Sequence, residues 1–100
     1  MATTLTILDK AKLKLRISHN VLDLIIQDEI DSAKAEMERA GIEESNIVDT
    51  DPLIEQAILT YVQYLHTEDE KMKDGFFVSW QYQLDCLRKT EDYRNVRSAD

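Results

Sequence analysis

One hundred residues, 43% hydrophobic and 32% charged, are enough for one domain with a modest packed core, and they set disorder aside as the default reading. Twelve basic against twenty acidic residues give a net charge of −8, with 6 basic and 10 acidic in each half of the chain, so no basic tail or positive footprint is present for a sequence-specific nucleic-acid reader. The single cysteine, Cys86, excludes an internal disulfide and any CxxC metal site, and fits synthesis in a reducing cytoplasm.

Only two glycines and one proline interrupt a chain rich in Leu, Ile, Ala, Glu, Lys and Gln, a composition that points to helices. MATTLTILDK lacks a basic segment followed by an apolar stretch, so no signal peptide is expected, and no apolar run approaches the roughly 20 residues of a membrane span.

Thr6-Ile-Leu-Asp9 is a capping-box-like start with Asp in place of Glu, and it opens a helix predicted over Ile7 to Leu15. Leu8, Ala11 and Leu15 share one face, while Lys10, Lys12, Lys14 and Arg16 make the element locally basic. This basic row has two readings: solvated surface, or contact with an acidic surface such as the second helix of another copy. Asn20 is the expected N-cap of that second helix, Val21 to Ala40, with an apolar stripe of Leu22, Ile25, Ile26, Ile30, Ala33, Met37 and Ala40. Its other face carries Asp23, Asp28, Glu29, Asp31, Glu36 and Glu38 against Lys34 and Arg39. Gly41 stands where a left-handed residue ends a helix, and Ile42 follows as the closing hydrophobic contact.

An acidic loop, Glu43 to Thr50, leads to the best-defined stretch of the chain, DPLIEQAILTYVQYL from Asp51 to Leu65. Asp51 is a good N-cap, and Pro52 at the first helical position has no amide hydrogen to waste. Ile54, Ala57, Ile58, Tyr61, Val62 and Leu65 repeat at 3, 1, 3, 1, 3, the broad face of a helix against which the others pack. This helix is expected to continue into the charged run His66 to Asp74 and to end at Gly75. Phe76 to Lys89 is the fourth helix, with Phe77, Trp80, Leu84 and Leu87 on its stripe, and the tail from Thr90 is expected to fray.

The chemistry-bearing inventory is short. No GxGxxG, P-loop, HExxH or GxSxG is present. His66 near Glu68, Asp69 and Glu70 lacks a second nitrogen ligand and reads as a solvated helix end, so no metal or cofactor is assigned. Asp49 and Asp51 resemble the start of a calcium loop, but the required glycine and closing glutamate are missing. Cys86, beside Leu87, reads as a small packing residue and not a nucleophile. The aromatics Phe76, Phe77, Trp80 and Tyr82 serve either core packing or, where exposed, an interface; adjacent Phe76 and Phe77 cannot point the same way.

The order of segments resembles the small head–tail connector, or head-completion, proteins of tailed double-stranded-DNA phages and prophages. The pieces that carry it are the basic TILDKAKLKLRIS, the long NVLDLIIQDEIDSAKAEME, then DPLIEQAILTYVQYLHTEDE, and WQYQLDCLRKTEDYR, together spanning Thr6 to Tyr93. Within them stand the Lys12 to Arg16 basic motif, the Leu53-Ile54 and Ala57-Ile58 pairs, and Gln-Leu-x-x-Leu-Arg at Gln83 to Arg88. The run TEDEKMKDG is longer than the polar break such proteins show at that place.

The resemblance implies an all-α, four-helix, ring-forming structural protein of the virion, assembled in the bacterial host cytoplasm. It implies a cyclic homo-oligomer beneath the portal protein, at the head–tail interface, offering a surface to a head-closure or tail-completion protein. DNA would pass through the channel without specific binding. The acidic balance fits independently, because a negative channel wall repels phosphate. Asp28, Asp31, Glu36, Glu43 and Glu44 are the candidate channel-lining residues; Lys10, Lys12, Lys14, Arg16, Phe76, Trp80 and Tyr82 are the candidate subunit and partner contacts. The rival readings are a small helical adaptor or regulatory protein that binds a partner through the aromatic face of the last helix, and a helical DNA-binding regulator, which the charge disfavours. An enzyme fits least.

Overall fold

Helix boundaries follow local capping chemistry at three of the four starts. The computed structural model describes residues 5–48 and 50–90. Four helices succeed one another, α1 (Ile7–Leu15), α2 (Asp23–Arg39), α3 (Pro52–His66) and α4 (Glu70–Lys89), with a short 3-10 turn at Glu44–Asn46 and no strand among the described residues. The Thr6 hydroxyl accepts from the Asp9 amide at 3.1 Å, and the Asp9 carboxylate accepts from the Thr6 amide at 3.2 Å, closing the capping box. Asp51 caps α3 by accepting from the Leu53 amide at 2.9 Å, with Pro52 following at the first helical position. Both elements match their expected starts.

Two boundaries differ from the sequence reading. Asn20 does not cap α2. Its side chain accepts from Lys12 Nζ at 2.7 Å instead, and the helix starts at Asp23 without a side-chain cap. The second difference is larger. α3 stops at His66, and Asp69, not Gly75, sets the next boundary by accepting from the Met72 amide at 3.1 Å. Gly75 lies inside α4, where nothing stands within 4 Å of the position a Cβ would occupy. One interior glycine costs about 1 kcal/mol against alanine. A good N-cap and the packing of a 20-residue helix outweigh it.

The end of α2 is as expected. Gly41 takes φ +107, its amide donates to the Glu38 carbonyl at 3.1 Å, and the Ile42 amide donates to the Met37 carbonyl at 3.1 Å. That is a Schellman closure, and Ile42 is buried beneath it.

α3 is the element that touches all the others: α1, α2 and α4 each pack on it. Its Ile54, Ala57, Ile58 and Val62 meet Ile26, Ile30, Ala33 and Met37 of α2, Ile7 and Ala11 of α1, and Trp80 and Leu87 of α4 in one buried cluster. Thr60, expected between apolar positions as a polar residue, is buried too; its hydroxyl donates to the Gln56 carbonyl at 2.9 Å, which satisfies it. Leu59 beside it is buried under α1. Conversely Ile25 and Leu65, placed on the stripes of α2 and α3 by spacing, are exposed. Ile26, Ile30, Ala33 and Met37 already fill the buried face of α2, and Ile25 stands about 100° around the helix from Ile26.

The α3–α4 seam is aromatic. The rings of Tyr61 and Trp80 lie 4.8 Å apart, those of Tyr64 and Phe77 5.3 Å apart, and Lys73 Nζ sits 5.3 Å above Tyr64. Tilted pairs of this kind add about 0.5–1.5 kcal/mol each beyond their burial. Burial, followed by the negative charge of Glu36, the neighbouring Tyr64 and then Glu29, raises the Tyr61 phenol above its ordinary range; it stays neutral at neutral pH. Among the described residues no helix is long and apolar enough to cross a membrane.

Candidate subunit and partner interface

The four cations of the basic row fall into two groups. Lys10 donates to both carboxylate oxygens of Glu55 on α3, at 3.1 and 3.0 Å. Lys12 turns the other way, forming an ion pair with Asp23 of α2 at 2.9 Å besides its bond to Asn20. These two stitch α1 to its neighbours inside the subunit. Lys14 and Arg16 are exposed, and neither has a partner among the described residues. Arg16 also ends α1 in the left-handed region, at φ 60. A basic row of four becomes two fastening residues and two exposed charges without a partner among the described residues.

The candidate acidic residues are spread along α2 and the turn that follows it. Asp28 and Asp31 share the outer face of α2 one turn apart, with Asp31 accepting from Gln27 at 3.2 Å. Glu36 is half-buried, pairs with Arg39 at 3.3 Å and faces toward Tyr61. Glu43 and Glu44 lie past the Schellman closure, at the start of the 3-10 turn. Asp49 lies outside the described residues. A second inward-turned carboxylate is Glu29, whose Oε1 is 2.5 Å from His66 Nε2, joining α2 to the end of α3. His66 is therefore half-buried and paired, and is not the solvated helix end expected from the sequence. Among the described residues no three His, Cys, Asp or Glu side chains converge in a way that could hold a metal ion.

The aromatic candidates divide in the same manner. Trp80 is 3% exposed and packed on Tyr61, which removes it from the set of partner anchors: it is core. Phe76 is half-buried. Tyr82 is 71% exposed and available. It stands at the mouth of a cleft of about 260 Å³ between the start of α3 and the end of α4, lined also by Leu53, Cys86 and Leu87. Cys86 is exposed there, and the side-chain oxygen of Gln83 is buried in the same place without a hydrogen-bond partner.

Two apolar surfaces escaped the sequence reading. Val21 and Leu24 are 81% and 82% exposed, and Ile25 is 51% exposed, all at the amino-terminal end of α2. Leu13 is 65% exposed on α1, at the rim of an open groove of about 550 Å³ between α1 and α3. A signal for the first was present. In Val21-Leu-Asp-Leu-Ile-Ile26 five of six residues are apolar, more than one helix face can hide. No family model, curated protein or solved structure matches the chain.

Proposed function

We propose that this chain is a head–tail connector of a tailed double-stranded-DNA phage or prophage. In this reading it forms a ring beneath the portal, extends the DNA channel, and presents a docking surface to a head-closure or tail-completion protein. The observation that carries the reading is the state of the surface. Among the described residues fourteen hydrophobic residues are buried in one cluster while twelve large hydrophobic side chains are exposed, with Val21, Leu24 and Ile25 close together at the start of α2. Exposed apolar patches of this kind mark association surfaces. The segment order over Thr6 to Tyr93 and the net charge of −8 support the same reading, the charge because a negative lumen keeps DNA from adhering.

The exposed Tyr82 and its cleft favour a second reading, a helical adaptor that binds one protein partner through the end of α4. Mixing the purified chain with its cognate portal protein separates the two. The connector reading expects rings stacked on portal in negative-stain images and co-sedimentation at physiological salt. A chain that neither binds portal nor forms rings with it sinks that reading.

A further inference from the structure

Two surfaces of this subunit complement each other and cannot meet within it. The first is the α1–α3 groove, with Leu13 and Lys14 on one wall, Gln56 and Gln63 on the other, and Leu59 beneath. The second is the outward stripe at the start of α2, Leu24, Ile25 and Asp28, with exposed Val21 in the turn just ahead of the helix. Leu24 and Asp28 stand one turn apart beside Ile25, as the contact residues of a groove-bound helix do, and the groove offers Leu13 and Leu59 among polar and charged side chains. Lys12 fastens one flank of α1 to Asp23 of α2, whereas Lys10 fastens the opposite flank to Glu55 of α3. The groove therefore opens on the side of α1 turned away from its own α2.

We propose that the groove receives the amino-terminal part of α2 from a second copy of this chain, with Leu24 and Ile25 against Leu13 and Asp28 beside Lys14. The proposal rests on the ring-forming part of the connector reading and names its contact. Charge selects this occupant. Lys14 at the groove and Asp28 on the stripe are both exposed, and both lack a partner among the described residues, while Lys10 and Lys12 are already paired. Groove and stripe are different surfaces, so the contact is heterologous: each subunit uses its groove toward one neighbour and its stripe toward the other. Such contacts close into rings where the rotation fits.

The geometry specifies a reciprocal experiment. Assembly of the full chain is measured by sedimentation velocity, alone and with portal protein, for wild type, Lys14→Glu, Asp28→Lys, and the two variants mixed in equal amounts. Each reversal alone places like charges across every contact and is expected to weaken assembly by about tenfold or more. In the mixture, the glutamate groove meets the lysine stripe and the native groove meets the native stripe, so assembly returns. Leu24→Asp is expected to remain unassembled with an unchanged circular dichroism spectrum. The docking is overturned if the wild type stays monomeric both alone and on portal, if either reversal assembles as the wild type does, or if the mixture fails to recover. Portal-bound rings that tolerate both reversals overturn the docking and leave the connector reading standing. Rescue by the mixture without any portal binding does the reverse.

Discussion

α2 and α3 are both isoleucine-rich helices, and they use their apolar residues differently. α3 has neighbours on several sides, so Ile54, Ala57, Ile58, Leu59 and Val62 are all buried. α2 is covered on one side only. Ile26, Ile30, Ala33 and Met37 are buried there, while Leu24 and Ile25 face outward within the same helix. Apolar content alone therefore does not decide burial; the neighbours a helix has do. The helix best defined in the sequence carries the fold, and the start of α2 leaves apolar residues exposed.

The strongest way to test that contrast is to place a carboxylate in each helix. Ile58→Asp puts an unpaired charge at a fully buried position and is expected to cost at least about 4–5 kcal/mol, enough to unfold a small domain. Leu24→Asp is expected to stay within about 0.5 kcal/mol of the wild type. Urea titrations followed by circular dichroism read both. A cooperatively folded Ile58→Asp would mean that α3 is not the scaffold.

The same comparison runs along α4. Trp80→Ala removes the ring stacked on Tyr61 and is expected to destabilise by about 3–5 kcal/mol. Tyr82→Ala, two residues on, is expected to change stability by less than about 0.5 kcal/mol. Equal losses from both would show that Tyr82 packs in the folded subunit and is not an open surface.

What the sequence made legible was local, and what it hid was long-range. The Thr6–Asp9 box, the Asp51-Pro52 start and the Gly41-Ile42 closure are each contained in a few consecutive residues, and each is in place. The all-helical, four-helix architecture followed from such signals together with periodicity. The pairing of Lys10 with Glu55 joins residues 45 apart, and no local pattern encodes it. For the same reason the basic row looked like one surface when its members serve different neighbours. Trp80 could have been core or interface by spacing alone; the position of Tyr61 on another helix decided it. Gly75 suggests the α3–α4 break by residue type, but capping by Asp69, and not the glycine, sets that boundary.

The two glycines give a smaller and more local contrast. Gly41 holds a positive φ, and a Cβ there would meet Arg88 Cγ at an ordinary 3.8 Å, so the cost of Gly41→Ala is backbone strain of about 1–2 kcal/mol. Gly75 lies in the interior of α4 with open space around it, so Gly75→Ala is expected to stabilise by about 0.5–1 kcal/mol. Opposite signs in thermal unfolding would support both placements. A destabilising Gly75→Ala would argue for a chain break where the sequence first suggested one.

The smallest effect is expected at the surface end of α4, where Asp85 accepts from Lys89 Nζ at 2.9 Å and also from Arg88. Hydrogen bonds from Lys89 and then Arg88 hold its carboxyl below the ordinary value of 3.8. A carboxylate with a lowered folded-state pKa stabilises above its unfolded value, and that contribution fades as pH falls through the folded one. Asp85→Asn should therefore lower the melting temperature slightly at neutral pH, and the difference from the wild type should vanish as the solution is acidified past the carboxylate range. Solvent and salt screen so exposed a cluster, so raising the ionic strength should shrink the neutral-pH difference as well. A difference that persists in strong acid would mean that Asp85 acts through packing and not through its charge. The same salt titration leaves the Trp80→Ala loss unchanged, since that loss comes from buried apolar contact, and in this way it separates the interior of α4 from its rim.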